Sequence, residues 1–192
     1  MSYISDALQT SLTTLKTFID NPAQEEKISK ATAIFITALK NKKKIISCGN
    51  GGSLCDAAHF TEELTGRFRK DRRALAALCI SEPGHLTCVG NDYGYDHIFS
   101  KYIEGLGLEG DVLLAISTSG NSANVIKACE MARQQGMKIV ALSGKNGGKL
   151  KDLADVCLIV ESDITDRIQE VHIKIIHIFI EGIERSLFPE NY

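Results

Sequence analysis

The chain has no marked excess of either charge: 22 Lys and Arg against 24 Asp and Glu leave a formal net charge of -2 over 192 residues. That balance gives no broad positive field, so extended contact with nucleic acid is not expected. Cysteine pairs at the Cys-x-x-Cys spacing are missing. The six cysteines, Cys48, Cys55, Cys79, Cys88, Cys129 and Cys157, lie mostly on apolar stretches and read as reduced residues of a cytoplasmic protein. No apolar run is long enough to cross a bilayer, and residues 1–10 lack the basic start and apolar centre of a secretion signal. A soluble protein with no membrane partner is expected. Low-complexity tracts and linkers are absent as well, so residues 1–192, at 44% hydrophobic content, are expected to form one domain that buries a core without disulfides or a structural metal.

Within this even composition the charge is locally clustered. The runs at 40–44 and 67–73 are basic and fall between expected elements, where solvated charge is the simplest reading, with Arg67 in a position to meet an anionic ligand. Leu8, Leu12, Leu15 and Ile19 recur at helical spacing, and Ile28, Ala31, Ile34, Phe35 and Leu39 repeat the pattern, so two amphipathic helices occupy residues 1–41. From residue 42 onward, short β-rich runs at 44–48, 75–80, 112–116, 138–142 and 156–160 alternate with helical stretches at 53–65, 96–105 and 123–135. The runs are apolar almost throughout, as parallel strands covered on both faces must be. The pattern predicts a doubly wound α/β/α sandwich with a five-stranded parallel sheet.

A final helix is expected over 165–187. Its apolar residues, from Ile168 through Val171, Ile173, Ile175, Ile176, Ile178, Phe179 and Ile180, occupy more than one face. That surplus, with the extra helix at the start of the chain, predicts packing between subunits and hence a homo-oligomer.

Two turns stand at strand ends. Ser117, Thr118, Ser119, Gly120, Asn121 and Ser122 follow one apolar run and precede a helix, offering hydroxyl donors, backbone N–H groups and a helix N-terminus, a combination suited to a phosphate. Asn50, Gly51, Gly52 and Ser53 repeat the arrangement after an earlier run. Two such turns point to one crevice on an open sheet, occupied by a small phosphorylated molecule. The segment 143–148 lacks the spacing of a nucleotide-binding loop and reads as a strand-to-helix turn.

Beyond the first turn, His59 and Glu63 stand at i and i+4 on one helical face, a spacing that suits two metal ligands or an acid and base. His177, flanked by Ile175, Ile176, Ile178, Phe179 and Ile180, is either a hydrogen-bonded core histidine or a functional one. Gln169 precedes it by eight residues, roughly 12 Å along an ideal helix, so sharing one ion is geometrically demanding. Asn91 and Asp92 read as a polar turn able to present Asp92 to sugar hydroxyls, with ordinary turn chemistry as the alternative.

Taken together, the segments 48–53, 59–67, 89–92, 117–122 and 166–170 resemble the phosphoheptose isomerases of the sugar isomerase (SIS) fold over nearly the whole chain. The serine-rich turn marks only the fold, whereas His59, Glu63, Gln169 and His177 are far more specific. The resemblance implies a flavodoxin-like SIS domain, a homotetramer with residues 1–41 in its contacts, and one zinc ion per subunit held by His59, Glu63, Gln169 and His177. It also implies isomerisation of sedoheptulose 7-phosphate to D-glycero-D-manno-heptose 7-phosphate, the first step toward the heptose of lipopolysaccharide. Substrate would be held by Asn50, Gly51, Gly52, Ser53, Glu63, Asn91, Asp92, Ser117, Thr118, Ser119, Ser122 and Gln169, with Glu63 and His177 as catalytic base and acid. The rival readings are a non-catalytic SIS protein, such as one that binds the replication initiator, which has no reason to keep the His59, Glu63, Gln169 and His177 set, and a sugar-phosphate sensor.

Overall fold

The computed structural model describes residues 2–192, so Met1 lies outside the described residues. Two long helices, α1 (Tyr3–Asp20) and α2 (Ala23–Lys40), precede the alternating part of the chain. It then runs β1 (Ile45–Gly49), α3 (Gly52–Thr65), β2 (Ala77–Cys79), α4 (Pro83–Asp92), a single 3-10 turn at Tyr95–His97, and α5 (Ser100–Leu106). β3 (Val112–Ser117), α6 (Ala123–Gln134), β4 (Lys138–Gly144), α7 (Leu150–Leu153), β5 (Val156–Val160) and α8 (Thr165–Leu187) complete it. All four strand pairings are parallel, in the order β2-β1-β3-β4-β5. β1 and β3 are buried at every position, which is why their sequences run apolar without alternation.

One face of the sheet is covered by α2, α3 and α8 around Phe35, Phe60 and Phe179, whose rings pack edge-on or tilted at 5.3–5.4 Å. The other face carries α4, α5 and α6 around Val89, Ile103 and Val125. On the first face α8 also meets α1, so Ile168, Val171, Ile175, Ile176, Phe179, Ile180 and Ile183 are all buried within the single chain. Most of the apolar surface of α8 is thus covered within the chain, while Ile173 is half-buried and Ile178 is 39% exposed. Also left uncovered is the outer side of α1, where Leu8, Leu12 and Ile19 are 58–69% exposed while Phe18 turns inward. Of the stripe read from the sequence, Leu8, Leu12 and Ile19 lie on that outer side and Leu15 packs against the core, because α1 lies outside the sandwich and buries only its inner edge.

Several local expectations are corrected. Residues 83–92 form a helix, capped by the Glu82 carboxylate on the N–H groups of Gly84 and His85 with Pro83 at its first position, so Asn91 and Asp92 end a helix rather than make a turn. The expected helix at 96–105 is broken into the 3-10 turn and α5, and the second strand is only three residues long. The basic run at 67–73 is not wholly solvated, since the Arg72 side chain is 1% exposed and paired with Glu184. Residues 143–148 do form the expected strand-to-helix turn, between β4 and α7. Among the described residues no helix is long and apolar enough to cross a membrane.

His172 is the histidine of α8 that lies in the core. Its Nε2 donates to the Ser143 carbonyl at 3.0 Å, which leaves Nδ1 buried without a partner, and burial pushes the ring down to about 4. An unfolded chain binds this proton near the ordinary 6.5, so below that pH the unfolded state takes up more protons and stability falls as pH falls toward 4. By pH 4.5 the loss from this group is about 2.5 kcal/mol. Urea unfolding at pH 6.5 and 4.5 checks it: the acid-induced loss should shrink by about that amount in His172→Gln. An equal loss in the variant would assign the acid sensitivity to other groups.

Candidate functional site

The crevice lies at the carboxyl ends of β1, β3 and β4. At β3 the chain turns through Ser117 to Ser122 into α6, and three hydroxyls converge there: Ser117 Oγ is 2.9 Å from Ser122 Oγ and 3.4 Å from Ser119 Oγ. Ser122 makes no side-chain cap, and although Val125 N–H is taken by Asn124 Oδ1 at 2.9 Å, the first N–H groups of α6 and its helix dipole are available to an external anion. Gly120, at φ +65°, holds the turn against the β4–α7 loop, where Leu150 N–H donates to its carbonyl at 3.0 Å and Lys149 N–H to Asn121 Oδ1 at 3.1 Å.

At β1 the turn is tighter. A side chain on Gly49 would meet the Ser53 carbonyl, and Gly51 takes φ +56°, a left-handed conformation that favours glycine. Asn50 and Asn124 exchange reciprocal amide hydrogen bonds at 2.9 Å, and Tyr95 O–H adds another to Asn50 Oδ1 at 2.9 Å. Asn50 thus ties the first turn to the start of α6, with its side-chain oxygen already engaged. Neither Asn124 nor Tyr95 stands out in the sequence, since nothing local marks a partner 74 or 45 residues away.

α3 and α8 run side by side in the same direction. Near their starts Gln169 Nε2 is 3.5 Å from Ser53 Oγ, and a Cβ on Gly52 would sit 2.6 Å from that amide nitrogen. Farther along, His59 Nε2 is 3.0 Å from His177 Nε2 and 3.5 Å from Glu63 Oε1, and ligand atoms of the three residues all lie within 4.8 Å of one another. Gln169 stands two turns before His177, with its amide beside Gly52 and Ser53. Glu62, which the sequence reading passed over, holds His59 Nδ1 at 3.0 Å and so directs Nε2 toward Glu63 and His177. Phe68 stacks on the His177 ring at 5.9 Å. His177 is therefore a crevice residue, and the core role falls to His172.

The electrostatics fit the geometry. Burial, reinforced by the Glu62 charge, raises the Glu63 carboxyl above its ordinary range; burial, reinforced by His59, lowers the His177 ring. The two values are drawn toward each other, which eases proton exchange between these groups and a bound molecule. One turn before His59, Asp56 has a buried oxygen without a partner and is pushed up to about 6 by burial. Asn91 and Asp92 hydrogen-bond each other at 2.7 Å on the exposed end of α4, and Thr118 lies half-buried in the phosphate turn.

Two imidazoles and a carboxylate converging at 3.0 and 3.5 Å, one ring oriented by a second carboxylate, form a donor set suited to zinc. Bonds of about 2.0–2.2 Å to a tetrahedral ion place neighbouring ligand atoms at such separations.

Comparison with known proteins identifies the family. A family model described as the SIS domain matches residues 8–144. The phosphoheptose isomerase of Fusobacterium nucleatum is 52% identical over all of this chain and 98% of its own length, and that of Cytophaga hutchinsonii is 56% identical over 97% and 98%. The solved phosphoheptose isomerase of Neisseria gonorrhoeae superposes with a TM-score of 0.89 at 40% identity, covering 94% of this chain and 96% of that one. On the strength of a full-length match in sequence, the same fold, and a crevice carrying both a phosphate turn and a His59, Glu63 and His177 cluster, the chain belongs to the phosphoheptose isomerases of the SIS-domain family.

Proposed function

We propose that the crevice interconverts sedoheptulose 7-phosphate and D-glycero-D-manno-heptose 7-phosphate through an enediol, with Glu63 as base and His177 as acid. The chain is an isomerase; the residue roles are the part proposed. The convergence of His59, Glu63 and His177 carries the reading. A sugar-phosphate sensor or a protein-binding SIS module needs the phosphate turn at most, and nothing in such a role calls for two imidazoles and a carboxylate within 4.8 Å.

The phosphate is anchored by Ser117, Thr118, Ser119 and Ser122 at the start of α6. Gly51, Gly52, Ser53 and Gln169 border the carbon chain, Asn50 fixes the first turn through Asn124, and Asn91 and Asp92 bind from the α4 side. Glu63 removes a proton from C1, and its electron pair forms the C1=C2 bond while O2 gains a proton from His177. The O1 proton then passes to His177 as the C1 carbonyl forms, and Glu63 returns its proton to C2. The α-proton is weakly acidic, so the developing charge on oxygen must be stabilised. Zinc bound to His59, Glu63 and His177, with Gln169 as the remaining donor, would supply that positive charge. A carboxylate has two oxygens, so Glu63 can hold an ion with one and accept a proton with the other; His177 would likewise hold the ion through Nε2 and donate from Nδ1–H.

The protein should convert sedoheptulose 7-phosphate to the aldose when the two are incubated together, with the product seen by NMR, and a strong chelator should abolish at least about nine-tenths of the rate if the ion carries the oxyanion charge. No aldose with or without added zinc would sink the catalytic reading. Full activity in chelator would remove the metal from it.

The same proposal extends to assembly and location. A homotetramer, with residues 1–41 in its contacts and the rest of residues 1–192 as a single domain, is supported by the uncovered Leu8, Leu12 and Ile19 on α1. Sedimentation at the mass of one chain would overturn it. A cytoplasmic place for this step is supported by six free cysteines, two of them exposed.

A further inference from the structure

α3 and α8 carry the whole of the His59, Glu63 and His177 cluster, so its geometry depends on how the ends of those helices are held together. The C-terminal end of α3 is bound by one side chain from outside either helix. Arg72 Nη2 donates to the Glu63 carbonyl at 2.5 Å, and Nη1 donates to the carbonyls of Leu64 at 2.9 Å, Gly66 at 2.8 Å and Arg73 at 3.3 Å. These include carbonyls that a helix end leaves without partners, and a cation is also favoured there by the helix dipole. Nε of the same guanidinium donates to Glu184 Oε1 at 2.8 Å. Glu184 lies on α8 seven residues, or two turns, beyond His177, and its other oxygen accepts from Tyr192 O–H at 2.9 Å.

Both side chains of the Arg72–Glu184 pair are 1% exposed. A buried ion pair is a poor source of stability, since desolvation cancels much of its attraction and well-packed apolar residues often serve as well. Its return lies in orientation: a planar fork fixes several acceptors at once, which neither a lysine nor an apolar contact can do. A second link, Arg69 to Glu181 at 2.9 Å, joins the same loop to α8 but is half exposed and weak.

We infer that Arg72, held by Glu184, is a positioning residue for the reaction: it grips the backbone of Glu63 from one side and α8 from the other, and so sets the distance between the Glu63 carboxylate and His177. This rests on the roles proposed above for Glu63 and His177. Disturbing the clamp should leave substrate binding largely intact, because the phosphate turn is on other elements, while misplacing the reacting groups.

The test is the paired apolar variant Arg72→Met with Glu184→Met, which leaves no unpaired buried charge. Its thermal midpoint should stay within a few degrees of the unmodified protein. The kcat should fall by roughly tenfold to a hundredfold with KM changed less than about threefold, and Zn2+ affinity, measured by competition with a chromophoric chelator, should fall at least about tenfold. A folded double variant with kcat and Zn2+ affinity within about twofold of normal overturns the inference. Should that variant fail to fold, Arg72→Lys, which keeps the charge and loses the fork, decides by the same split and the same thresholds. Glu63→Gln measured alongside separates the two claims. Normal turnover there removes the assigned role of Glu63, whereas lost turnover there beside an unaffected clamp variant removes only the clamp.

Discussion

Replacing Glu63 by Gln, or His177 by Gln, lowers turnover by at least about a hundredfold, or about 2.7 kcal/mol of transition-state stabilisation, with the fold retained. Glu63→Gln keeps the shape of the side chain and takes away the group that receives the C1 proton. His177→Gln leaves a donor at similar reach but no titrating ring. Neither residue belongs to the fully buried core: the Glu63 side chain is 14% exposed and His177 is half-buried, so unfolding is not the expected result. The informative measurement is kcat against KM under saturating zinc, together with a circular dichroism melt. On the proposed assignment the phosphate sits at α6 and the proton-transfer groups on α3 and α8, so KM should move little. Near-normal rates in either variant would refute the assigned acid and base. A rise in KM alone, with kcat intact, would place that residue in binding.

Gly120→Ala is the second large effect, and it acts at the other end of the sugar. The backbone there is left-handed, at φ +65°, which costs an alanine roughly 1–2 kcal/mol by itself. The added Cβ would also fall onto the Gly147 carbonyl, and it would lie 2.8 Å from Gly148 N. Those obstacles are backbone, so no side-chain rotation relieves them, and the β4–α7 loop must shift with the turn. Loss of roughly 3 kcal/mol of stability is expected, along with at least a tenfold rise in KM for the phosphorylated sugar as the hydroxyls of Ser117, Ser119 and Ser122 lose their convergence. Urea unfolding and steady-state kinetics on the same preparation read both. Ordinary stability and an unchanged KM would mean that the turn tolerates remodelling and is not the anchor.

Much of the frame can be read from the sequence because burial on both faces leaves a plain mark. The runs around Ile45, Val112, Ile139 and Val156 are apolar in succession, and Gly51 and Gly136 fall where left-handed backbone ends or begins an element. Short elements leave no such mark. α4 has ten residues with glycine at two of them, and only its Glu82-Pro83 start announces it; α7 has four. In the site, His59 and Glu63 are legible because i and i+4 define a face. The significance of His177 is not, since its meaning depends on a ring 118 residues away. A separation of 112 residues hides Glu184 as the partner of Arg72, which in a basic run reads as one more solvated charge. Glu62 is adjacent to Glu63 and is overshadowed by it, though its contact orients the neighbouring imidazole.

Because α3 and α8 advance together, with Gly52 and Ser53 beside Gln169 and His59 beside His177, the crevice works as a ruler. The phosphate turn is its zero mark, and the cluster on α3 and α8 is the point at which a carbonyl must arrive to react. The reading on that ruler is set by the sliding register of two helices, so a shift of one helical turn, about 5.4 Å, would move the working mark by several carbons. On the proposed assignment, selection by sugar length is then a property of helix packing, carried by residues such as Phe60 on α3 and Phe179 on α8, which both pack on Phe35 of α2.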